Sequence, residues 1–156
     1  MSRITPFLWF NTEAEEAATF YTSLFPNSRI VEVQRHETAD AEKSAFVVTF
    51  EIDGMRFTAL NGAPGNVHFT DAVSFQVDCA DQAEVDRYWD ALIADGGEPS
   101  QCGWLKDRFG VSWQIIPTAL PRLLADPDRQ AAARVMNAML GMQRIDIAAL
   151  EAAKSG

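Results

Sequence analysis

The chain has 156 residues, of which 47% are apolar, and it carries a net charge of −9 and two cysteines. That length suits one domain with a substantial core. The acidic balance repels a phosphate backbone and no basic cluster offsets it, which excludes nucleic acid as a partner. No apolar run approaches the ~20 residues of a membrane span. Cys79 and Cys102 are well separated and form neither a disulfide framework nor a zinc-ribbon spacing. The opening Met-Ser-Arg-Ile-Thr-Pro lacks the apolar stretch of a signal peptide. Together these features predict a cytoplasmic protein with free thiols.

Ile4 to Phe10 reads as a strand, with Pro6 confined to its start or to a sheet edge. Thr12 and Glu15 have the spacing of a capping box, which predicts a helix over 13–25 with Ala17, Phe20, Tyr21 and Leu24 on one face. Pro26-Asn27 ends it. Alternation predicts a strand over 30–36, and the polar segment 37–43 a loop. Two further strands, 45–52 and 55–60, flank an Asp53-Gly54 hairpin turn. Asn61-Gly62-Ala63-Pro64-Gly65 is rich in structure breakers.

The pattern then repeats. A strand is predicted over 72–77, and Asp81 and Glu84 form a second capping box. A helix over 82–94 turns Val85, Tyr88, Trp89 and Leu92 inward, and Gly96-Gly97 stops it. Short strands over 99–106 and 111–116 follow, around a turn closing on Gly110. The chain thus holds two copies of strand–helix–strand–strand–strand. The first spans 1–65 and the second 66–117, within a single domain of 1–156. Each copy leaves one sheet face uncovered, so pairing the copies, within or between chains, would form a cavity. From residue 118 the chain turns helical, with segments around Leu120 to Leu124, 129–140 and 145–153. The plain reading of this extension is a packing appendage. An alternative is a groove lined by the stripe Ala132, Val135, Met136, Met139 and Leu140.

Several pieces carry a family resemblance. They are Thr5-Pro6-Phe7-Leu8-Trp9-Phe10, Glu15-Glu16-Ala17-Ala18-Thr19-Phe20-Tyr21, Phe57-Thr58-Ala59-Leu60-Asn61-Gly62 and Ser74-Phe75-Gln76-Val77. The run Cys102-Gly103-Trp104-Leu105-Lys106-Asp107-Arg108-Phe109-Gly110-Val111-Ser112-Trp113-Gln114-Ile115-Ile116-Pro117 and the piece Arg144-Ile145-Asp146-Ile147-Ala148 complete the set. The chain resembles the vicinal-oxygen-chelate superfamily of glyoxalase and bleomycin-resistance proteins. Within it, the chain is similar to the PhnB-like branch, often labelled 3-demethylubiquinone-9 3-methyltransferase. The resemblance implies an α+β fold of two paired βαβββ modules forming curved mixed sheets around a cavity, with a C-terminal helical extension. It also implies a homodimer.

Superfamily enzymes hold a divalent metal with His, Glu or Gln at one position near the start and one near the last strand of each module. Carried onto this chain, those positions fall near Pro6, near Asn61, at Ala72 to Ser74, and on Gln114. None supplies an imidazole or carboxylate, so no metal and no cofactor is expected. His36, at a strand end, and His68, in the connection between the copies, read as solvated or capping residues. The label implies a transferase, yet no strand runs into a Gly-rich turn of the kind that cradles S-adenosylmethionine.

Alternation supplies the expected ligand-binding face. Ser112, Gln114 and Ile116 share one side of the last strand, Ser74 and Gln76 one side of another, and Cys102, Trp104 and Lys106 one parity. If these sets converge, Ser74, Gln76, Cys102, Ser112 and Gln114 meet beside Trp104 as a few polar groups in an aromatic surround. Trp9 and Asn61 are further candidates, with the parity of Trp9 open. The competing reading is an internal hydrogen-bond network without a ligand. Cys102 with Lys106 is a nucleophile candidate, with a quiet thiol as the plainer reading. Asp107-Arg108 reads as a turn. The sequence thus predicts a metal-free, small-molecule-binding protein. The alternative is an enzyme: a metal-dependent lyase, isomerase or dioxygenase, or a methyltransferase.

Overall fold

A computed structural model describes residues 2–35, 45–62 and 67–156. The predicted loop 37–43, His36 and part of the predicted linker lie outside the described residues. The chain divides into two compact units, Met1–Val67 and His68–Gly156.

In the first unit β1 (Phe7–Phe10), α1 (Ala14–Leu24), β2 (Arg29–Arg35), β3 (Ala45–Ile52) and β4 (Met55–Asn61) follow in order. The sheet order is β1-β4-β3-β2, with β1 parallel to β4 and the other pairs antiparallel. Pro6 sits just before the edge strand β1, where its missing N–H breaks no ladder bond. Asp53 and Gly54 both have positive φ, 48° and 77°, as a two-residue type I′ hairpin turn requires. One face of this sheet meets α1. Leu8, Phe10, Val48, Phe50, Phe57 and Ala59 are buried there with Ala14, Ala17, Ala18 and Tyr21, and Phe50 stacks on Phe57 at 5.5 Å.

The start of α1 corrects the expected capping box. Thr12 makes no cap, and Glu15 turns outward to pair with Arg35 at 2.7 Å. The Ala14 N–H instead donates to the Asn61 side-chain oxygen at 2.8 Å, across 47 residues. Tertiary contact has replaced the local cap.

In the second unit β5 (Ser74–Cys79), α2 (Gln82–Ile93), β6 (Glu98–Pro99), β7 (Trp104–Lys106) and β8 (Ser112–Pro117) repeat the order. The sheet is β5-β8-β7-β6, with β5 parallel to β8. Here the expected Asp81 cap forms, and the return bond from Glu84 reaches one residue further back than a capping box requires. The Asp81 carboxylate accepts from the Glu84 N–H at 2.9 Å, and the Glu84 carboxylate accepts from the Ala80 N–H at 2.7 Å. Val85, Tyr88, Trp89 and Leu92 are buried on the α2 side together with Leu105, Trp113 and Ile115.

Three helices follow: α3 (Ala119–Leu124), α4 (Arg129–Leu140) and α5 (Ile147–Ser155). Their core is Leu120, Leu123, Val135, Ile145 and Leu150, joined by Ile116 from β8. The expected apolar stripe on α4 needs correction. Ala131, Ala132 and Val135 are its buried residues, while Met136 and Leu140 are exposed. None of the described helices is long and apolar enough to cross a membrane.

Candidate functional site

Residues directly opposite in a ladder share a face. In the second sheet Ser74 opposes Ser112, Gln76 opposes Gln114, Trp104 opposes Gln114, and Lys106 opposes Ser112. One face of this sheet therefore carries two cross-strand rows. The first runs Ser74, Ser112, Lys106, with Glu98 beyond Lys106 on β6. The second runs Gln76, Gln114, Trp104. The opposite face belongs to α2. The structure thus brings together five of the expected residues, Ser74, Gln76, Trp104, Ser112 and Gln114.

Their polar groups are paired rather than idle. The Gln114 amide donates to the Ser74 hydroxyl at 2.9 Å, and the Gln76 amide donates to Asp78 at 2.8 Å. The Ser112 hydroxyl donates to Asp71 at 2.6 Å, and the Lys106 ammonium lies 3.8 Å from the same carboxylate oxygen. Ser112 is buried, Ser74, Trp104, Lys106 and Gln114 are half-buried, and Gln76 is exposed. Among the described residues every buried side-chain nitrogen and oxygen has a partner. Ile116 shares this face but lies under the C-terminal helices, which close one end of it.

The remaining candidates lie elsewhere. Asn61 opposes Phe10 on the helix-facing side of the first sheet and holds the start of α1. The parity of Trp9 is now fixed: it stands with Phe7 on the face away from α1, 42% exposed. Its indole rests against the backbone of Gly62, where any Cβ would collide with it. Cys102 is not on β7. It occupies the turn before that strand with φ 58°, and its N–H donates to the Met142 carbonyl at 2.8 Å. Cys79 is fully buried, and burial first, then the charges of Glu84, Asp78 and Asp81, push its thiol up to about 12. It is a packed thiol rather than a nucleophile.

Sequence reasoning missed two acids. Asp71 precedes β5 and has no periodicity to mark it, yet it meets both Ser112 and Lys106. Asp107 does more than form a turn. It is 3% exposed, and its carboxylate accepts from the Phe109 and Val111 N–H groups and from the Trp113 indole N–H at 2.9–3.0 Å. Its role is to lock the β7–β8 hairpin. An acid followed within six residues by Gly and Trp was the available signal.

The ladders also show which residues correspond between the modules. After each parallel pair a backbone bond closes back, from Gly62 N–H to Phe10 carbonyl in one and Thr118 N–H to Cys79 carbonyl in the other. Phe10 therefore matches Cys79, and the pair Phe7–Thr58 matches Gln76–Gln114. Thr58, not Asn61, is the counterpart of Gln114. These residues offer a phenyl ring, a hydroxyl and two amides. That donor set does not fit a divalent transition metal, which takes imidazole, thiolate or carboxylate ligands. Among the described residues no three His, Cys, Asp or Glu side chains come together as a metal-binding group.

Two βαβββ modules with mixed four-stranded sheets define the vicinal-oxygen-chelate fold. The family model described as 3-demethylubiquinone-9 3-methyltransferase matches residues 2–116. The chain belongs to that family, the PhnB-like branch of the superfamily. Among solved structures it is similar to the PhnB protein of Bacillus cereus, provisionally named a 3-demethylubiquinone-9 3-methyltransferase. That chain is 34% identical, with a TM-score of 0.70, and the match covers 75% of this chain and all of that one. A protein from Pseudomonas aeruginosa is 20% identical at a TM-score of 0.63, with 75% and 98% covered. The fosfomycin resistance protein FosX of Mesorhizobium loti is 15% identical at 0.56, with 80% and 98% covered. The last two likenesses speak to the fold alone. No curated protein matches the sequence. The family match ends before α3, so the Arg144–Ala148 piece of the resemblance lies beyond it.

Proposed function

We propose that this protein binds a small organic molecule on the polar face of its second sheet, without a metal ion, and that it does so as a cytoplasmic homodimer. The observation that carries this reading is the half-buried Gln114–Ser74 pair set beside Trp104 and Ser112 on the face away from α2. A few oriented polar groups next to an aromatic wall suit a flat ligand with hydrogen-bonding substituents. The partners these groups now hold are mostly exposed or half-buried, so a ligand replaces bonds of similar strength and gains the area of Trp104. The exposed Phe7 and Trp9 of the first sheet are an apolar surface of the kind that a second protomer covers.

A fragment screen by thermal shift, run with wild type and Trp104→Ala, tests the binding face. Ligands are expected to stabilise wild type and to lose that effect in the variant. Stabilisation equal in both proteins sinks the reading. The family name favours a second reading, methyl transfer. Titration with S-adenosylmethionine separates the two, because saturable binding there replaces the proposal. Retained divalent metal in native mass spectra, lost in Gln114→Ala, argues for the metal-enzyme alternative.

A further inference from the structure

The row Ser74, Ser112, Lys106 presents hydroxyl and ammonium groups side by side, and an acid from outside the sheet already sits on two of them. Asp71 belongs to no strand or helix, and its side chain is 63% exposed. One of its oxygens accepts a hydrogen bond from the hydroxyl of the buried Ser112 at 2.6 Å and lies 3.8 Å from the Lys106 ammonium. A short O–H···O bond to a carboxylate and an adjacent cation are what a bound anion would receive. The Ser112–Asp71 geometry is thus that of an anion on its site, with the anion supplied by the chain itself.

We propose that Ser112 and Lys106 form an anion subsite on the ligand-binding face, and that Asp71 is its built-in competitor. The proposal rests on that face being a ligand site, and it narrows the ligand class to an organic anion with a flat apolar part. Trp104 and Gln114 occupy the next row along the strands, two residues away, or about 7 Å at the usual rise per residue. A molecule whose anionic group displaces Asp71 would therefore lay a ring beside Trp104 across a spacer of a few atoms. The ligand meets Ser112 and Lys106 only in the fraction of molecules from which Asp71 has swung away, and its apparent affinity falls by that fraction.

The test compares 3-phenylpropionate with its neutral counterpart 3-phenylpropionamide at constant ionic strength. Binding is read from the 19F resonance of Trp104 in 5-fluorotryptophan-labelled protein, assigned with Trp104→Phe. Asp71 and Lys106 have side chains 63% and 41% exposed, so substitution leaves the fold intact. Asp71→Ala is expected to tighten the acid roughly five- to tenfold, as release of a self-occupied site requires, and to leave the amide unchanged. Lys106→Met is expected to abolish the acid's advantage. Acid and amide binding equally well beside Trp104 in wild type and in Asp71→Ala overturns the subsite and leaves the binding face standing. No response of Trp104 to either compound in Asp71→Ala overturns the subsite together with the face.

Discussion

The two modules share one topology and carry opposite surfaces on it. Their strand orders, β1-β4-β3-β2 and β5-β8-β7-β6, are the same, and so is the parallel pairing of first and last strands. Phe7 opposite Thr58 in the first module stands where Gln76 opposes Gln114 in the second. The neighbouring charged rows are inverted. Arg29, Glu51 and Arg56 alternate as cation, anion, cation, with Arg29 and Glu51 2.9 Å apart. The matching row in the second module is Glu98, Lys106 and Ser112, an anion, a cation and a hydroxyl. Alternation and turn chemistry fix the module twice over, while the chemistry of each open face varies independently. Fold therefore carries over between the modules, and a binding site does not.

The largest test of this contrast is at the two long hairpins. The first module turns on the two-residue Asp53-Gly54, and the second on a loop held by the buried Asp107. Asp107→Ala strands the Trp113 indole N–H and two amides, and is expected to cost about 3 kcal/mol in urea unfolding. A loss below 1 kcal/mol would show that the loop holds without it.

Next in size is a pair of glycines at similar φ. Gly103 (φ 86°) has no room, because a Cβ there meets the Ile115 carbonyl and the Ile116 side chain at 2.9 Å. Gly110 (φ 88°) has open space. Gly103→Ala should cost about 2–3 kcal/mol and Gly110→Ala about 1 kcal/mol, since only the first adds collision to backbone strain. Equal losses would mean that backbone strain alone decides both sites.

The helix caps come third. Asn61→Ala and Asp81→Ala should each cost about 1 kcal/mol. Hydrogen exchange distinguishes them, with faster amides at the start of α1 in the first variant and of α2 in the second. Exchange that rises at both helices in either variant would break the picture of independent caps.

The smallest effect is a pH dependence in the first module. The hydrogen bond from Arg29 holds the Glu51 carboxyl below its ordinary range. A depressed carboxylate stabilises the fold above its unfolded pKa, and that contribution is lost as pH falls through the folded value. The stability gap between wild type and Glu51→Gln should therefore be present at pH 7 and close on acidification. A gap that persists at pH 2 would assign it to packing instead.

Much of the fold was legible because its causes are local. Asp53-Gly54 and the Asp81–Glu84 pair each act within four residues, and both form. Alternation gathered Ser74, Gln76, Ser112, Gln114 and Trp104 onto one face, since a strand's period of two is set by the backbone. What escaped depends on partners distant in the chain. Thr12 looks like a cap, but Asn61 reaches Ala14 from the end of β4. Asp71 carries no pattern of its own and gains its role from Ser112, 41 residues later. The α4 stripe points Met136 and Leu140 outward because Ile116, Ile145 and Leu150 select which of its faces is buried.

The sequence by itself determined two βαβββ modules, their turns and the polar face of the second sheet, because hydrophobic period and capping residues act over a few residues. Only the tertiary structure decided that Asn61 caps a helix, that Trp9 lies on the open face, and that Asp71 occupies the donors of Ser112 and Lys106. Those outcomes depend on ladder register and on which loops return to which strand ends, and no local pattern encodes either.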